Sequence, residues 1–318
     1  MDNKKIAAID IGTNSFHMII VNMSNDKSFE ILDKKRIVMR LASGQGNELK
    51  YISDDEMAEA VKILNNFAKL AKKHNAIIRA VATSAVRESQ NGNEFVKKVF
   101  EETSINTEVI DGQTEANLIY SGIKHSLDID DKKVLCIDIG GGSTEFIYSD
   151  NGKIKYSESV KIGAVRLSKM FFPDFIITDS AIQKCSEYVE QQIINNKNIN
   201  LEVDIDFSVG VSGTVDSIFF ITQFTKYGKI NDQLNGYTYS KEEFDQIYNM
   251  IMALKYPVER SKVKGMEARR ADIIPAGLII LSKIFELFKF DKIKISEYAL
   301  REGTVFDTFD RLSKDLSD

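Results

Sequence analysis

The sequence is poor in the residues that build metal centres and crosslinks. Its 318 residues include two cysteines and three histidines. Cys136 falls in an apolar, strand-like run and Cys185 in a helix-like one. Their separation fits no metal motif, so both read as reduced core thiols of a cytoplasmic protein. His17 reads as a packed strand residue, and His74 and His125 fall near helix ends, where histidine is ordinary. No His/Cys set suggests zinc, and no Ser-His-Asp arrangement is evident. No apolar run is long enough to span a bilayer, and the N-terminus lacks a signal-peptide pattern, so no membrane partner is expected. An excess of positive charge is missing too. The formal net charge of −5 argues against general nucleic-acid binding. A hydrophobic fraction of 43% and a charged fraction of 28% are those of a soluble globular chain, and the length suggests two domains.

What is present, twice, is a short glycine loop between two apolar runs. The first is Asp10-Ile11-Gly12-Thr13-Asn14-Ser15, between Ile6–Ile9 and Phe16–Met23. The second is Asp138-Ile139-Gly140-Gly141-Gly142-Ser143 with Thr144-Glu145, between Val134–Ile137 and Phe146–Tyr148. Strand, aspartate, glycine turn and returning strand make a hairpin with backbone N–H groups exposed at its bend. Such N–H groups form an anion-binding concavity, and glycine lets them come close to a ligand. The aspartate ahead of the glycines suits a divalent metal, often through water. A strand-end aspartate that only caps its own turn is the plainer alternative for Asp10 and Asp138. The halves match further. Ser24-Asn25-Asp26-Lys27 and Ser149-Asp150-Asn151-Gly152-Lys153 each separate two further apolar runs, the second with a hairpin Asn-Gly pair. Each half therefore begins with a three-strand meander, and the repeat is a domain duplication.

Between and after the meanders, helices alternate with strands. Leu41 to Lys50 reads as a loop. Ser53-Asp54-Asp55-Glu56 is a capping box, and its helix carries Met57, Val61, Leu64, Phe67, Leu70 and Ala71 at helical spacing. Ala76–Ala82 is a strand leading into Thr83-Ser84-Ala85-Val86-Arg87. A helix follows over Asn93–Thr103, then a strand over Asn106–Ile110, and Asp111-Gly112-Gln113-Thr114-Glu115-Ala116 opens the next helix. In the second half, helices are expected over Val165–Phe172 and Asp179–Ile194 and a strand over Phe207–Val211. Ser212-Gly213-Thr214 begins another helix, and Ser240-Lys241-Glu242-Glu243 is a second capping box. A long helix is expected over Arg269–Phe288 with a kink near Pro275. A strand over Lys292–Ile295 and a closing helix over Ala299–Leu312 complete an α/β chain. The domain boundary is expected within Gly122–Asp131, with Gly122 and the polar stretch after it as a hinge. That gives domain I as 1–124 and domain II as 125–298, with 299–318 able to pack back on domain I.

With these motifs in order along nearly the whole chain, the sequence resembles the exopolyphosphatase / guanosine pentaphosphate phosphatase family. The segments that carry the likeness are Asp10–Ser15, Thr83–Arg87, Asp111–Ala116, Asp138–Glu145, Gly163–Arg166, Ser212–Thr214, Arg269–Gly277 and Ser296–Gly303. The resemblance implies a duplicated actin-like, ribonuclease H-like fold with an interdomain cleft. It implies hydrolysis of terminal phosphoanhydrides of inorganic polyphosphate or guanosine pentaphosphate with a divalent metal, usually Mg2+. Long members of the family continue into a C-terminal helical domain of HD type, so the short, two-domain form is expected here. A homodimer stays open.

Phosphoanhydride hydrolysis needs a placed water, a group to orient it, and positive charge on the phosphoryl oxygens. The resemblance assigns the water to Glu115; the bland alternative is a glutamate favouring its helix dipole. Glu145 corresponds to a second acidic residue for metal binding or water positioning, with Asp138 and Asp10 as the other metal candidates. Arg87 resembles the family's phosphate-gripping arginine, whose fork suits two oxygens at once. Gly12, Thr13, Asn14, Ser15, Gly140, Gly141, Gly142 and Ser143 are the phosphate-loop candidates, joined by Arg269. Arg260, Lys262, Lys264, Arg269 and Arg270 could guide a polyanion, or could be a solvated face. A sensor that binds without turnover and a small-molecule kinase are the other readings. Both acidic positions disfavour the first, and the Arg87 and Glu115 segments disfavour the second.

Overall fold

The computed structural model describes residues 4–41 and 51–314, so the loop expected from Leu41 lies, beyond that residue, outside them, as do residues 315–318. The chain divides into two compact units, Met1–Ile123 with Tyr298–Asp318, and Lys124–Glu297.

The first unit opens with an antiparallel meander, β1 (Lys4–Ile11), β2 (Ser15–Met23) and β3 (Phe29–Val38). Helix α1 (Asp54–His74) follows, and its Ser53 cap has both reciprocal bonds with Glu56. Strand β4 (Ile77–Ala82) joins β1 in parallel. Helices α2 (Ser84–Glu88) and α3 (Gly92–Thr103) lead to β5 (Thr107–Val109), parallel to β4, and to α4 (Gly112–Ser126). The sheet order is β3-β2-β1-β4-β5.

The second unit repeats the plan. β6 (Lys133–Ile139), β7 (Thr144–Asp150) and β8 (Lys153–Val160) form its meander. Asn151 and Gly152 both have left-handed φ, 51° and 71°, as a type I′ hairpin turn requires. Then come α5 (Ala164–Phe171), α6 (Asp179–Ile194), β9 (Phe207–Val211) and α7 (Ser212–Tyr227). They are followed by β10 (Thr238–Ser240), α8 (Lys241–Met252), α9 (Pro257–Arg260), α10 (Ile274–Phe288) and β11 (Lys292–Ile295). The order is β10-β11-β9-β6-β7-β8. Each meander is thus extended on its first-strand edge by two parallel strands, with the antiparallel β10 added beyond them in the second unit, which is the duplicated actin-like, ribonuclease H-like α/β plan. Helix α11 (Leu300–Lys314) belongs to the first unit.

Strand β1 is buried on both faces, which explains its unbroken apolar run. Ala7, Ile9 and Ile11 face a core shared with α1 and α3, including Leu64, Phe67 and Phe95. Ile6 and Ala8, with Ile19, Val21 and Met23 of β2, pack against Val305, Phe306 and Phe309 of α11. Each of those three side chains is buried by this packing, a gain of about 1.5–3 kcal/mol apiece for full burial. Gly122, expected as a hinge, lies inside α4 at a close approach: a Cβ there would meet the Ala299 carbonyl oxygen at 2.2 Å. Gly303 of α11 meets the Leu118 carbonyl in the same way, so these glycines let α4 and α11 touch backbone to backbone.

The expected long helix over Arg269–Phe288 is shorter. Ala268–Arg270 is a 3-10 turn, and α10 starts at Ile274 with Pro275 in its first turn. A proline there removes an N–H that has no intrahelical acceptor anyway, so no kink is needed. Cys136 and Cys185 are free, buried thiols.

Candidate active site

The two glycine loops are built on the same register. Asp10 faces His17 across the β1–β2 hairpin, and Asp138 faces Glu145 across β6–β7. Each turn closes with the same bond, Gly12 N–H to the Ser15 carbonyl at 3.2 Å and Gly140 N–H to the Ser143 carbonyl at 3.0 Å.

The first loop is held by the chain leaving β3. Met39 and Leu41 N–H groups bond the carbonyls of Asn14 and Thr13, and Thr13 Oγ1 lies 2.9 Å from Ser84 Oγ. Asp10 is half-buried, its Oδ1 3.7 Å from where a Gly12 Cβ would stand. Burial pushes its carboxyl up to about 7; Arg301 opposes this and Glu302 adds to it. Asp10 Oδ1 and both amide atoms of Asn14 are buried without hydrogen-bond partners among the described residues. Buried polar atoms are rarely left so, and a water, an ion or a ligand would satisfy these. Ser15 Oγ lies 2.7 Å from His17 Nε2, and His17 Nδ1 lies 3.1 Å from Arg301 Nη1.

The second loop is held by a helix start. The Gly140 carbonyl takes the Ala164 N–H, the Gly141 carbonyl takes those of Val165 and Arg166, and the Gly142 carbonyl takes Arg166 Nε at 2.7 Å. A peptide C=O and the N–H that follows it point in opposite directions. Pinning three successive carbonyls on α5 therefore turns the N–H groups of Gly141, Gly142 and Ser143 away from that helix, into an anion cradle. The approach is close enough that a Cβ on Gly163 would stand 2.4 Å from Gly141 and Gly142. Glu145 is 1% exposed, and its Oε1 accepts from Ser143 Oγ and Ser159 Oγ, both at 2.7 Å. Asp138 is half-buried beside it.

Arg87 and Glu115, expected as phosphate grip and water activator, are bonded to each other. Glu115 sits in the first turn of α4, 6% exposed, and Arg87 Nη1 donates to its Oε2 at 2.8 Å. The same Nη1 donates to the Ile110 carbonyl at 2.8 Å. Arg87 Nη2 and Nε take part in neither bond, which leaves that edge of the fork for an anion.

Among the described residues no group of three or more histidine, cysteine, aspartate or glutamate side chains could hold a metal alone. A divalent ion would rest on one or two carboxylates, with water and substrate phosphate completing its shell, as magnesium is commonly held. Asp138 and Glu145, facing each other across β6–β7, are a pair of hard donors that fits such an ion, and the unpartnered Asp10 oxygen is a hard donor on the first loop.

The basic cluster is divided by the fold. Arg260 is fully buried and donates to the carbonyls of Ala271, Leu254, Lys255 and Phe175, so it fastens loops and cannot meet a polyanion. Lys262, Lys264 and Arg269 are exposed. Arg270, not Arg269, lies over the start of α7: a Cβ on Gly213 would stand 1.7 Å from its Nη2. Sequence reasoning missed the parts played by Arg166, Arg301 and Ser159, and gave His17 a bland one. The one available signal was that His17 and Glu145 occupy the same place after their loops.

Comparison with known proteins follows the same motifs. A model described as the Ppx/GppA phosphatase family matches residues 19–312. A Haemophilus influenzae protein, provisionally named an exopolyphosphatase, is 30% identical over 95% of this chain and 91% of its own length. A Vibrio parahaemolyticus guanosine-5'-triphosphate,3'-diphosphate pyrophosphatase is 32% identical over 96% of this chain, which spans 59% of that protein. The crystal structure of a Cytophaga hutchinsonii exopolyphosphatase superposes with a TM-score of 0.89 at 28% identity, covering 96% of this chain and 98% of that one.

Proposed function

The chain belongs to the Ppx/GppA phosphatase family, and from that membership we propose that it releases terminal phosphate from inorganic polyphosphate by attack of water. The observation that carries hydrolysis, as opposed to binding alone, is the Arg87–Glu115 pair. A buried carboxylate held in one orientation by a guanidinium is suited to fix and deprotonate a water, and the free edge of that guanidinium is suited to a phosphoryl oxygen. The N–H groups of Gly141, Gly142 and Ser143 and the groups of Gly12, Thr13, Asn14 and Ser15 bind phosphate oxygens. Arg269, exposed on its turn, is a further phosphate contact. Asp138, Glu145 and Asp10 would hold Mg2+. When bound, the ion supplies positive charge for the phosphoryl oxygens and the leaving group. The protein acts in the cytoplasm, without nucleic acid or membrane; no described helix is long and apolar enough to cross one.

Polyphosphate is preferred over guanosine pentaphosphate because the Haemophilus relative and the Cytophaga structure carry exopolyphosphatase names. Guanosine pentaphosphate ends in the same anhydride and is the second reading, supported by that relative's name. The test is phosphate release from both substrates, side by side, with magnesium and after exhaustive chelation. Release from polyphosphate at the higher kcat/KM, abolished by chelation, is expected. Binding of either compound without release would leave a sensor instead, and faster release from guanosine pentaphosphate would reverse the preference.

A further inference from the structure

His17 stands where the second loop has Glu145, and the two residues set their serines in opposite senses. Arg301 Nη1 is 3.1 Å from His17 Nδ1. A guanidinium nitrogen can only donate, so Nδ1 must present a lone pair. The imidazole is therefore neutral with its proton on Nε2, and that N–H donates to Ser15 Oγ at 2.7 Å. Ser15 Oγ has this one hydrogen-bond partner among the described residues. Its own proton is left to give. In the second loop Ser143 gives its proton to Glu145 and keeps its lone pairs. Arg301 is itself oriented by Glu302, to whose Oε1 its Nη2 donates at 2.9 Å.

We propose that His17 is a positioning residue: the relay Glu302–Arg301–His17 locks its Nε2–H tautomer and so commits the Ser15 hydroxyl to donate to a phosphate oxygen of the substrate. This rests on the reading of the first loop as a phosphate site. Beside the buried, unpartnered Asn14 amide, Ser15 gives the loop a directed donor on a side chain as well as on its backbone. Ser143, turned the other way, offers an oxygen lone pair on the loop that carries the acidic pair. The two serine hydroxyls are thus set in opposite senses, Ser15 donating to an anion and Ser143 presenting oxygen to a cation or water.

The test uses the whole chain with methylenebis(phosphonate), a diphosphate that water cannot cleave, as the probe in magnesium buffer. Its affinity is measured by calorimetry, and the imidazole nitrogens are read by 15N NMR. Ser15→Ala should weaken binding about 10-fold or more, the size of a hydrogen bond to a charged group. His17→Leu should weaken it similarly. His17→Gln, which can both accept from Arg301 and donate to Ser15, should restore it. His17→Glu, which copies the second loop and claims the Ser15 proton, should bind worst. In a Ser15→Ala background His17→Leu should change little further. The NMR spectrum should show Nε2 protonated. A Nδ1–H tautomer, wild-type binding by Ser15→Ala, or failure of Gln to rescue where Leu harms would each overturn the proposal. Circular dichroism excludes unfolded variants, and NMR on the wild type does not depend on any variant folding. A wild type that binds the probe with these losses yet releases no phosphate from polyphosphate supports this proposal and refutes the hydrolytic one. A wild type that does not bind the probe overturns the phosphate site and this proposal together.

Discussion

The first and second loops share a hairpin, a leading aspartate, a closing glycine-to-serine bond and a register, yet differ in what surrounds them. The first is braced by an extended segment after β3 and neighboured by His17 and Arg301. The second is braced by the start of α5 and neighboured by Glu145 and Asp138. Duplication fixed the backbone, and single side chains then gave each copy its charge. A loop's shape therefore does not reveal which way its serine hydroxyl is turned; the residue two places past that serine does.

The largest expected break in this comparison comes from the first unit. Glu115→Gln keeps shape and much of the binding but removes the base, so kcat should fall about 10²–10⁴-fold with KM little changed. The loss should lie nearer the low end if orientation matters more than proton removal. Steady-state phosphate release decides it, and wild-type turnover by the folded variant would take Glu115 out of the reaction. Next, Glu145→Gln tests whether the second loop carries the cation. It should raise the magnesium needed for half-maximal rate by about tenfold or more, read from a magnesium titration; an unmoved midpoint would assign the ion elsewhere.

Arg87→Ala should raise KM and slow turnover together, and it also strips Glu115 of its charge partner. Because the two residues touch, Arg87→Ala with Glu115→Gln should lose less than the product of the single losses, and a double-mutant cycle checks that. Higher salt should blunt the KM effect, since the Arg87 side chain is 22% exposed. The smallest effect is on stability. Burial puts the Asp10 carboxyl at about 7, above its ordinary 3.8. Between those values the folded chain holds a proton that the unfolded chain has lost, so this contribution is present at low pH and lost as pH rises through 7. Metal-free wild type should therefore lose more stability from pH 5 to pH 8 than Asp10→Asn, by on the order of a few kcal/mol. Parallel melting curves for both proteins would expose any failure.

Much of the fold is written locally in the sequence. Both meanders, the capping boxes at Ser53 and Ser240, the helix Asp179–Ile194 and the strand Phe207–Val211 follow from spacing and turn chemistry within a dozen residues. Pro275 misled because an interior kink and a first-turn position look alike until the helix start is known. The site is less legible because its partners are distant in sequence. His17 and Arg301 are 284 positions apart, and Arg87 and Glu115 are 28 apart. Arg260 looked like a surface cation because nothing near it in sequence shows the four carbonyls that enclose it. Local pattern sets which face of an element is apolar; it does not say which polar atom will arrive from elsewhere.

The packing of α11 on β1 and β2 has a consequence for the chain as it is being made. The sheet face formed by Ile6, Ala8, Ile19, Val21 and Met23 emerges from the ribosome well before its cover, Val305, Phe306 and Phe309. All of Lys124–Glu297 is synthesised in between. At ordinary elongation rates that interval is on the order of ten seconds or more. Throughout it the nascent first unit displays an apolar sheet face while the second unit can already fold. A chain stalled before Tyr298 would thus carry that face without its cover.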